Sequence, residues 1–360
     1  MCGTDEIAAE ERKRSKLIDQ KLKEDHRQEE SLKTIKLLLL GSGESGKSTV
    51  LKQFKLLYGT GFTDTDLNVF RSAALGNLVG CMKVLITESQ TRGFAFENPG
   101  AEDLCKMVLD LPYLFSTTAG QETMSKAVSD AIEALWKDSA IQSTFKLSHE
   151  FQLPDCCEYF MQNCSRICSP DFQPTHQDAL FVRIMTSTIS ENRFTINGMQ
   201  YRIYDVGGQR SERRKWMHYF DDVKAVLFVS AIGSYDQTIS EDKATNRMVE
   251  SINVFQNICN NPLMIKTPML IFFNKIDLLA PKLKDPTKPL NKYFPEFTGR
   301  NEIEAVKTFF RAKFDAVNQT PERIIYYYYT HATDTNQIKS ILKVVTLVIM
   351  QMNLATAGYM

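Results

Sequence analysis

Neither sign of charge is in excess: 43 lysines and arginines stand against 43 aspartates and glutamates, a formal net charge of zero. A chain that holds nucleic acid mainly through its phosphates carries a basic surplus, so that class of partner is not expected. Long hydrophobic runs are missing as well. No stretch of 18 apolar residues occurs, and residues 35–40 are far too few to span a bilayer. The opening Met1-Cys2-Gly3-Thr4-Asp5-Glu6 has none of the apolar character of a signal peptide. With 17 glycines and 12 prolines in 360 residues, collagen-like and low-complexity classes are excluded. The eight cysteines include no C-x-x-C pair, and a chain of this length forms its core without disulfides, which points to a reducing, intracellular compartment. The cluster Cys156, Cys157, Cys164 and Cys168 could suggest zinc, but Cys157, Met161, Cys164 and Cys168 fall at helical spacing and read more simply as small apolar core residues.

What is present is a globular composition, 43% hydrophobic and 24% charged, at a length that suits about two domains. Residues 5–33 read as a solvated helix with eight basic and nine acidic residues. Ile7, Leu17, Ile18, Leu22 and Leu32 give it a thin apolar stripe, so it is expected to lie against something other than its own core. Short apolar strand signals follow at 34–40, 193–195, 201–205, 225–230, 268–274 and 324–330. Helical patterns at 245–260, 302–318 and 336–353 alternate with the later ones. This alternation predicts an α/β fold with a mainly parallel sheet covered on both faces. Residues 62–173 break the pattern and show helical periodicity alone, which predicts a helical domain inserted into the α/β domain. Residues 281–299, with four prolines and four lysines, read as a surface loop.

Three motifs carry chemistry, each at the end of an expected strand. Gly41-Ser42-Gly43-Glu44-Ser45-Gly46-Lys47-Ser48-Thr49 fits G-x-x-x-x-G-K-[ST] between a strand and a helix. Glycines let successive backbone N–H groups wrap a phosphate, Lys47 reaches the outer phosphates, and Ser48 offers a hydroxyl to Mg2+. Asn274-Lys275-Ile276-Asp277 specifies the base. The Asp277 carboxylate accepts both N1–H and N2–H2 of guanine, whereas adenine would leave it partly unpaired. Lys275 covers the base with its stem, and Asn274 braces the neighbouring loops. Asp205-Val206-Gly207-Gly208-Gln209 supplies the third element. Asp205 is suited to hold Mg2+ through water, the Gly208 N–H to reach the γ-phosphate, and Gln209 to orient an attacking water, since an amide both donates and accepts.

These motifs, with residues 205–216 (DVGGQRSERRKW), Thr245-Asn246-Arg247-Met248 and residues 330–335 (THATDT), resemble the heterotrimeric G-protein α subunits, in order and at matching spacing over essentially the whole chain. The resemblance implies a P-loop GTPase core with a mainly parallel six-stranded sheet, occupying residues 35–61 and 177–360. An inserted all-helical domain would take residues 62–176, and an N-terminal helix residues 1–34. It also implies that Arg183 is an arginine finger supplied in cis, that Thr186 is the second Mg2+ ligand, and that Leu180 lies against the nucleotide. Ala332 and Thr333 match the loop that presents backbone N–H to the guanine oxygen. The implied function is a slow GTP hydrolase that relays signals from membrane receptors at the cytoplasmic face of the plasma membrane. Its implied partners are a βγ dimer in the GDP state, effectors and GTPase-accelerating proteins at the switch regions, and a receptor at the C-terminal tail, residues 355–360. A non-hydrolysing nucleotide-binding scaffold is the competing class, and a metabolic P-loop enzyme the third.

Several positions depart from the family pattern. Cys2 stands where many relatives carry a myristoylated glycine, which leaves palmitoylation of Cys2 as the candidate lipid attachment. Phe181 replaces a common arginine, Thr188 a glycine, Cys156 a serine facing the nucleotide, and His331 the cysteine of the guanine loop. Ala357 stands where some subclasses carry cysteine.

Overall fold

The computed structural model describes residues 34–113, 124–186 and 188–356. The expected N-terminal helix, Cys2 and the last four residues of the tail lie outside them. Among the described residues there are eight strands: β1 (Thr34–Leu40), β2 (Ser190–Ile196), β3 (Met199–Asp205), β4 (Ala225–Ala231), β5 (Thr238–Ile239), β6 (Asp242–Asn246), β7 (Met269–Asn274) and β8 (Ile325–Thr330). Six of them form one sheet in the order β2-β3-β1-β4-β7-β8, parallel except for the β2–β3 hairpin at one edge. The helices, in chain order, are α1 (Lys47–Tyr58), α2 (Asp64–Thr91), α3 (Ala101–Leu109), α4 (Lys126–Lys137), α5 (Ser139–Lys146), α6 (Cys157–Gln162) and α7 (Cys164–Cys168). They continue with α8 (His176–Phe181), α9 (Arg247–Cys259), α10 (Ile276–Lys284), α11 (Leu290–Tyr293), α12 (Ile303–Ala316) and α13 (Thr335–Thr356).

The sheet is buried on both faces because its strands alternate between two apolar layers. Ile35, Leu37 and Leu39 of β1, Leu227 and Val229 of β4, and Leu270 and Phe272 of β7 pack under α1 and α13. Leu38 and Leu40, Val226 and Phe228, and Ile271 and Phe273 point the other way, under α9, α10 and α12. Phe228, Phe255, Phe273 and Phe314 meet there in tilted and edge-on ring contacts 5.2–6.1 Å apart. Each fully buried ring of this kind contributes about 1.5–3 kcal/mol, so the sheet is a firm platform for the loops at its ends. The strand order turns outward in both directions from β1, and in such sheets ligands settle beyond the carboxyl ends of the strands at that point. The register brings the motifs to that one edge: Leu39 lies opposite Asp205, Ala231 opposite Asn274, and Asn274 opposite Thr330.

Helices α2–α8 bury a cluster of their own. Phe70, Leu78, Cys81, Met82 and Leu85 of α2 lie against Ile132 and Leu135 of α4 and Phe160 and Cys164 of the short helices. By length and composition α2 could cross a membrane, but its apolar side is the centre of this cluster. A capping box, in which the Thr63 hydroxyl and Asp66 carboxylate satisfy each other's backbone N–H groups, starts it abruptly after Gly61. Cys156, Cys157, Cys164 and Cys168 are all buried within the cluster, and no metal-holding group of His, Cys, Asp and Glu occurs among the described residues. The expected boundary at residue 176 falls within the capped turn of α8, whose Ala179, with the following Val182, packs into the same cluster.

Two expectations are corrected. Residues 281–299 are not one loop: Pro281 sits inside α10, and α11 interrupts the rest. The helix expected from residue 245 begins at Arg247, because Asn246 caps it with its side-chain oxygen on the N–H groups of Met248 and Val249, and the residues before it pair with β5.

Candidate functional site

The phosphate loop follows from its own sequence. β1 ends at Leu40, and the chain then passes through left-handed backbone at Glu44 (φ 59°) and Gly46 (φ 102°) before α1 begins at Lys47. Gly46 is required twice over: its φ disfavours a side chain, and a Cβ there would run into the Asn274 amide. Gly43 to Thr49 line a cavity of about 570 Å³, while Gly41 and Ser42 turn back so that their carbonyls accept from Lys47 Nζ at 3.1 and 2.9 Å. Burial holds the Lys47 ammonium down at about 8; a phosphate in the loop would favour its charged form again. Ser45 Oγ is buried without a hydrogen-bond partner. Such an orphan just ahead of a helix N-terminus suits an anion.

Behind the loop three oxygens converge. Ser48 Oγ lies 2.9 Å from Thr186 Oγ1 and donates to Asp205 Oδ2 at 3.0 Å. Asp205 Oδ1 is buried and unpartnered, and burial pushes its carboxyl above the usual carboxylate range. Two hydroxyls and an under-satisfied carboxylate are a hard-cation donor set, and these residue types fit Mg2+.

At the other end of the cavity Asn274 ties three segments together. Its amide donates to Ser45 O at 2.9 Å, and its carbonyl accepts from Thr330 Oγ1 and from the Ala332 N–H, both at 3.1 Å. The Ala332 N–H expected to face a guanine oxygen is thus engaged by Asn274, and would have to be shared between the two acceptors. Lys275, held at φ 62°, extends along the cavity to Asp155 Oδ2 at 2.5 Å. Burial opposes the Asp155 charge, yet Lys275 outweighs it and holds the carboxyl at about 2. Asp277, in the first turn of α10, lines the cavity beside His331 and Leu180.

Arg183 and Gln209 line the same cavity from opposite segments. The Arg183 backbone is clamped by Asn77 of α2, which accepts from its N–H at 2.7 Å and donates to its carbonyl at 3.1 Å. Its guanidinium rests on Glu44 Oε1 at 2.9 Å. The other oxygen of Glu44 meets Arg247 at 2.8 Å. The Glu44 carboxyl is opposed by burial but held low by Arg247 and then Arg183. Gly208 packs directly on Lys47, where any Cβ would strike the ammonium.

The stretch after Gln209 is a 3-10 helix, Arg210–Tyr219. Two of its three arginines are engaged within the chain. Arg210 and Arg213 both grip Glu250 of α9, at 2.8 and 2.6 Å, and Arg213 Nε also donates to Gly208 O at 3.1 Å. Trp216 is buried with its indole donating to Gly207 O at 2.9 Å. Arg214, Met217 and His218 remain on the outside.

Asn77, Glu250 and the partners of Arg247 were not legible in the sequence. Arg247 stands within the 245–248 run and had a signal; Asn77 is one polar residue in a helix otherwise read for its apolar side. Of the departures, Phe181 stacks on Tyr159 at 4.0 Å, and Cys156 lines the cavity with its thiol pushed up by a contact with Cys81 and by burial.

Comparison with known proteins agrees with this geometry. The family profile described as G-protein alpha subunit matches residues 12–349. The chain is 41% identical over 350 residues to a guanine nucleotide-binding protein G(o) subunit alpha of Geodia cydonium, covering 97% of this chain and 96% of that one. It is 39% identical over 345 residues to the alpha-3 subunit of Caenorhabditis elegans, with 96% of each covered. To the alpha-1 subunit of Neurospora crassa it is 38% identical over 357 residues, with 99% of each covered. Every segment that lines the cavity lies inside the matched region, and the chain belongs to the G-protein alpha subunit family, whose members are GTPases.

Proposed function

We propose that this chain is a GTP-hydrolysing switch, the α subunit of a heterotrimeric G protein, with Arg183 and Gln209 as its catalytic residues. The observation that carries the reading is that Thr186 and Gly208, from two separate segments, both close on the phosphate loop, at Ser48 and Lys47. A γ-phosphate between these groups gives both segments a common anchor, and its loss removes that anchor. Lys47, the loop N–H groups and Asn274-Lys275-Asp277 bind and orient the nucleotide. Gln209 holds the attacking water in line. The Arg183 guanidinium leaves Glu44 to neutralise charge on the transferring phosphoryl oxygens. Ser48, Thr186 and, through water, Asp205 would hold Mg2+, which would supply neutralisation of the phosphate charge.

In single-turnover hydrolysis of labelled GTP, Gln209→Leu is expected to be slower than wild type by roughly 10²-fold, since it removes the amide that orients the attacking water. Equal rates would favour the non-hydrolysing scaffold.

The reading also concerns partners. The Gly208–Arg213–Glu250 connection couples the phosphate end of the cavity to α9 and to the exposed Arg214, Met217 and His218, the surface on which a βγ dimer, an effector or a GTPase-accelerating protein would sense the nucleotide. Glu250→Ala is expected to leave binding of a GTP analogue nearly unchanged while removing most of the Trp216 emission change that the analogue produces. An undiminished change would exclude the coupling. Receptor contact through the C-terminal tail, and membrane attachment at the cytoplasmic face of the plasma membrane through an acylated Cys2 with a lipidated partner, complete the proposal.

A further inference from the structure

We propose that His331 is a positioning residue for the base-reading carboxylate, and that its charge state sets how firmly guanine is retained. The proposal rests on Asp277 being the guanine reader.

His331 Nε2 lies 3.4 Å from Asp277 Oδ2, and both side chains, about one-third exposed at 31% and 32%, line the base end of the cavity. The imidazole is not on a free loop. Its backbone N–H donates to Gln337 Oε1 at 2.5 Å, and its carbonyl accepts from the Asp334 N–H at 2.9 Å. The next residue, Ala332, is tied to Asn274. The ring is therefore delivered to the carboxylate by a braced turn.

Four other polar or charged groups face this pair, and each has its own engagement. Lys275, from the turn between β7 and α10, is paired with Asp155 of the segment before α6. Asp334, in the same turn as His331, caps the N–H groups of Asn336 and Gln337 at 3.0 and 3.1 Å. Gln337 carries no charge and holds the His331 backbone. Asp277 is thus the carboxylate that meets the imidazole; burial pushes its carboxyl above the usual carboxylate range, and a cationic imidazole opposes that rise.

The consequence follows from counting donors. Guanine brings N1–H and N2–H2 to the Asp277 carboxylate. A neutral imidazole offers at most one ordinary hydrogen bond to Oδ2 and leaves the remaining lone pairs to the base. An imidazolium makes a charge-assisted bond to the same oxygen, which is about twice as strong, and places a positive charge beside the base's own N–H groups. Guanine then competes with a cation for its acceptor. By linkage, base binding favours the uncharged imidazole, so GDP is held less firmly as protons are added.

The test measures dissociation of tritium-labelled GDP from the full-length protein with Mg2+ between pH 5.5 and 8.0, alongside circular dichroism at each pH. Wild type is expected to release GDP about five- to tenfold faster at the acid end. His331→Gln, which keeps a neutral donor but does not titrate, is expected to release slowly and with less than about twofold variation. His331→Ala is expected to be equally flat. A flat wild-type profile overturns the proposal, as does the wild-type profile surviving in His331→Gln. Release that tracks loss of the dichroism signal overturns it too. Failure of wild type to bind GDP at any pH would instead overturn the guanine reading itself.

Discussion

Arg183→Cys is expected to slow single-turnover GTP hydrolysis by three to five decades, equivalent to about 4–7 kcal/mol of barrier. The side chain touches neither the phosphate loop backbone nor the base end, so affinity for a non-hydrolysable GTP analogue should stay close to that of wild type. The split between an unchanged Kd and a collapsed rate is what distinguishes a group that acts on the transition state from one that merely holds the ligand. Arg183→Lys is expected to recover little, because an ammonium lacks the planar fork that spans two phosphoryl oxygens. In the structure the guanidinium rests on Glu44 while Asn77 fixes the backbone beneath it. A rate loss below tenfold would mean that the guanidinium stays with Glu44 throughout the reaction.

The second large effect is expected at the base. Asp277→Asn exchanges one acceptor for an N–H2 group that faces the guanine amino group donor to donor. With an unmade bond and an unsatisfied donor in a partly buried site, GDP affinity should fall by about 10³-fold. The same change suits a base with a carbonyl in place of the amino group, so xanthosine diphosphate should gain what GDP loses. Competition binding with the two nucleotides measures both. A loss of GDP affinity below tenfold, or no gain for xanthosine diphosphate, would remove Asp277 from the base-reading role.

Much of the sheet could be read from the sequence because its strands are apolar on both faces and short. The expected strand at 225–230 appears as Ala225–Ala231, and that at 268–274 as Met269–Asn274. The phosphate loop and the guanine motif were legible because each is a contiguous run whose chemistry is local. What escaped was non-local or without periodicity. Asp242–Asn246 is a mostly polar strand that pairs with the two-residue β5, so no alternation marks it. Pro281 belongs to a helix despite its missing N–H, and proline counting misplaces it. Asn77 and Glu250 matter because of what they meet 106 and 37 residues away, at Arg183 and Arg213. Nothing in their immediate neighbourhood announces that.

The Asn77 clamp has a meaning for timing. On the role proposed for Arg183, the residue that quickens hydrolysis is anchored by a helix of the inserted cluster, so the chain would carry its own activator rather than borrow one from a passing protein. Each molecule would then be a self-winding clock whose interval is written into one chain. Loosening the Asn77 anchor would lengthen every tick.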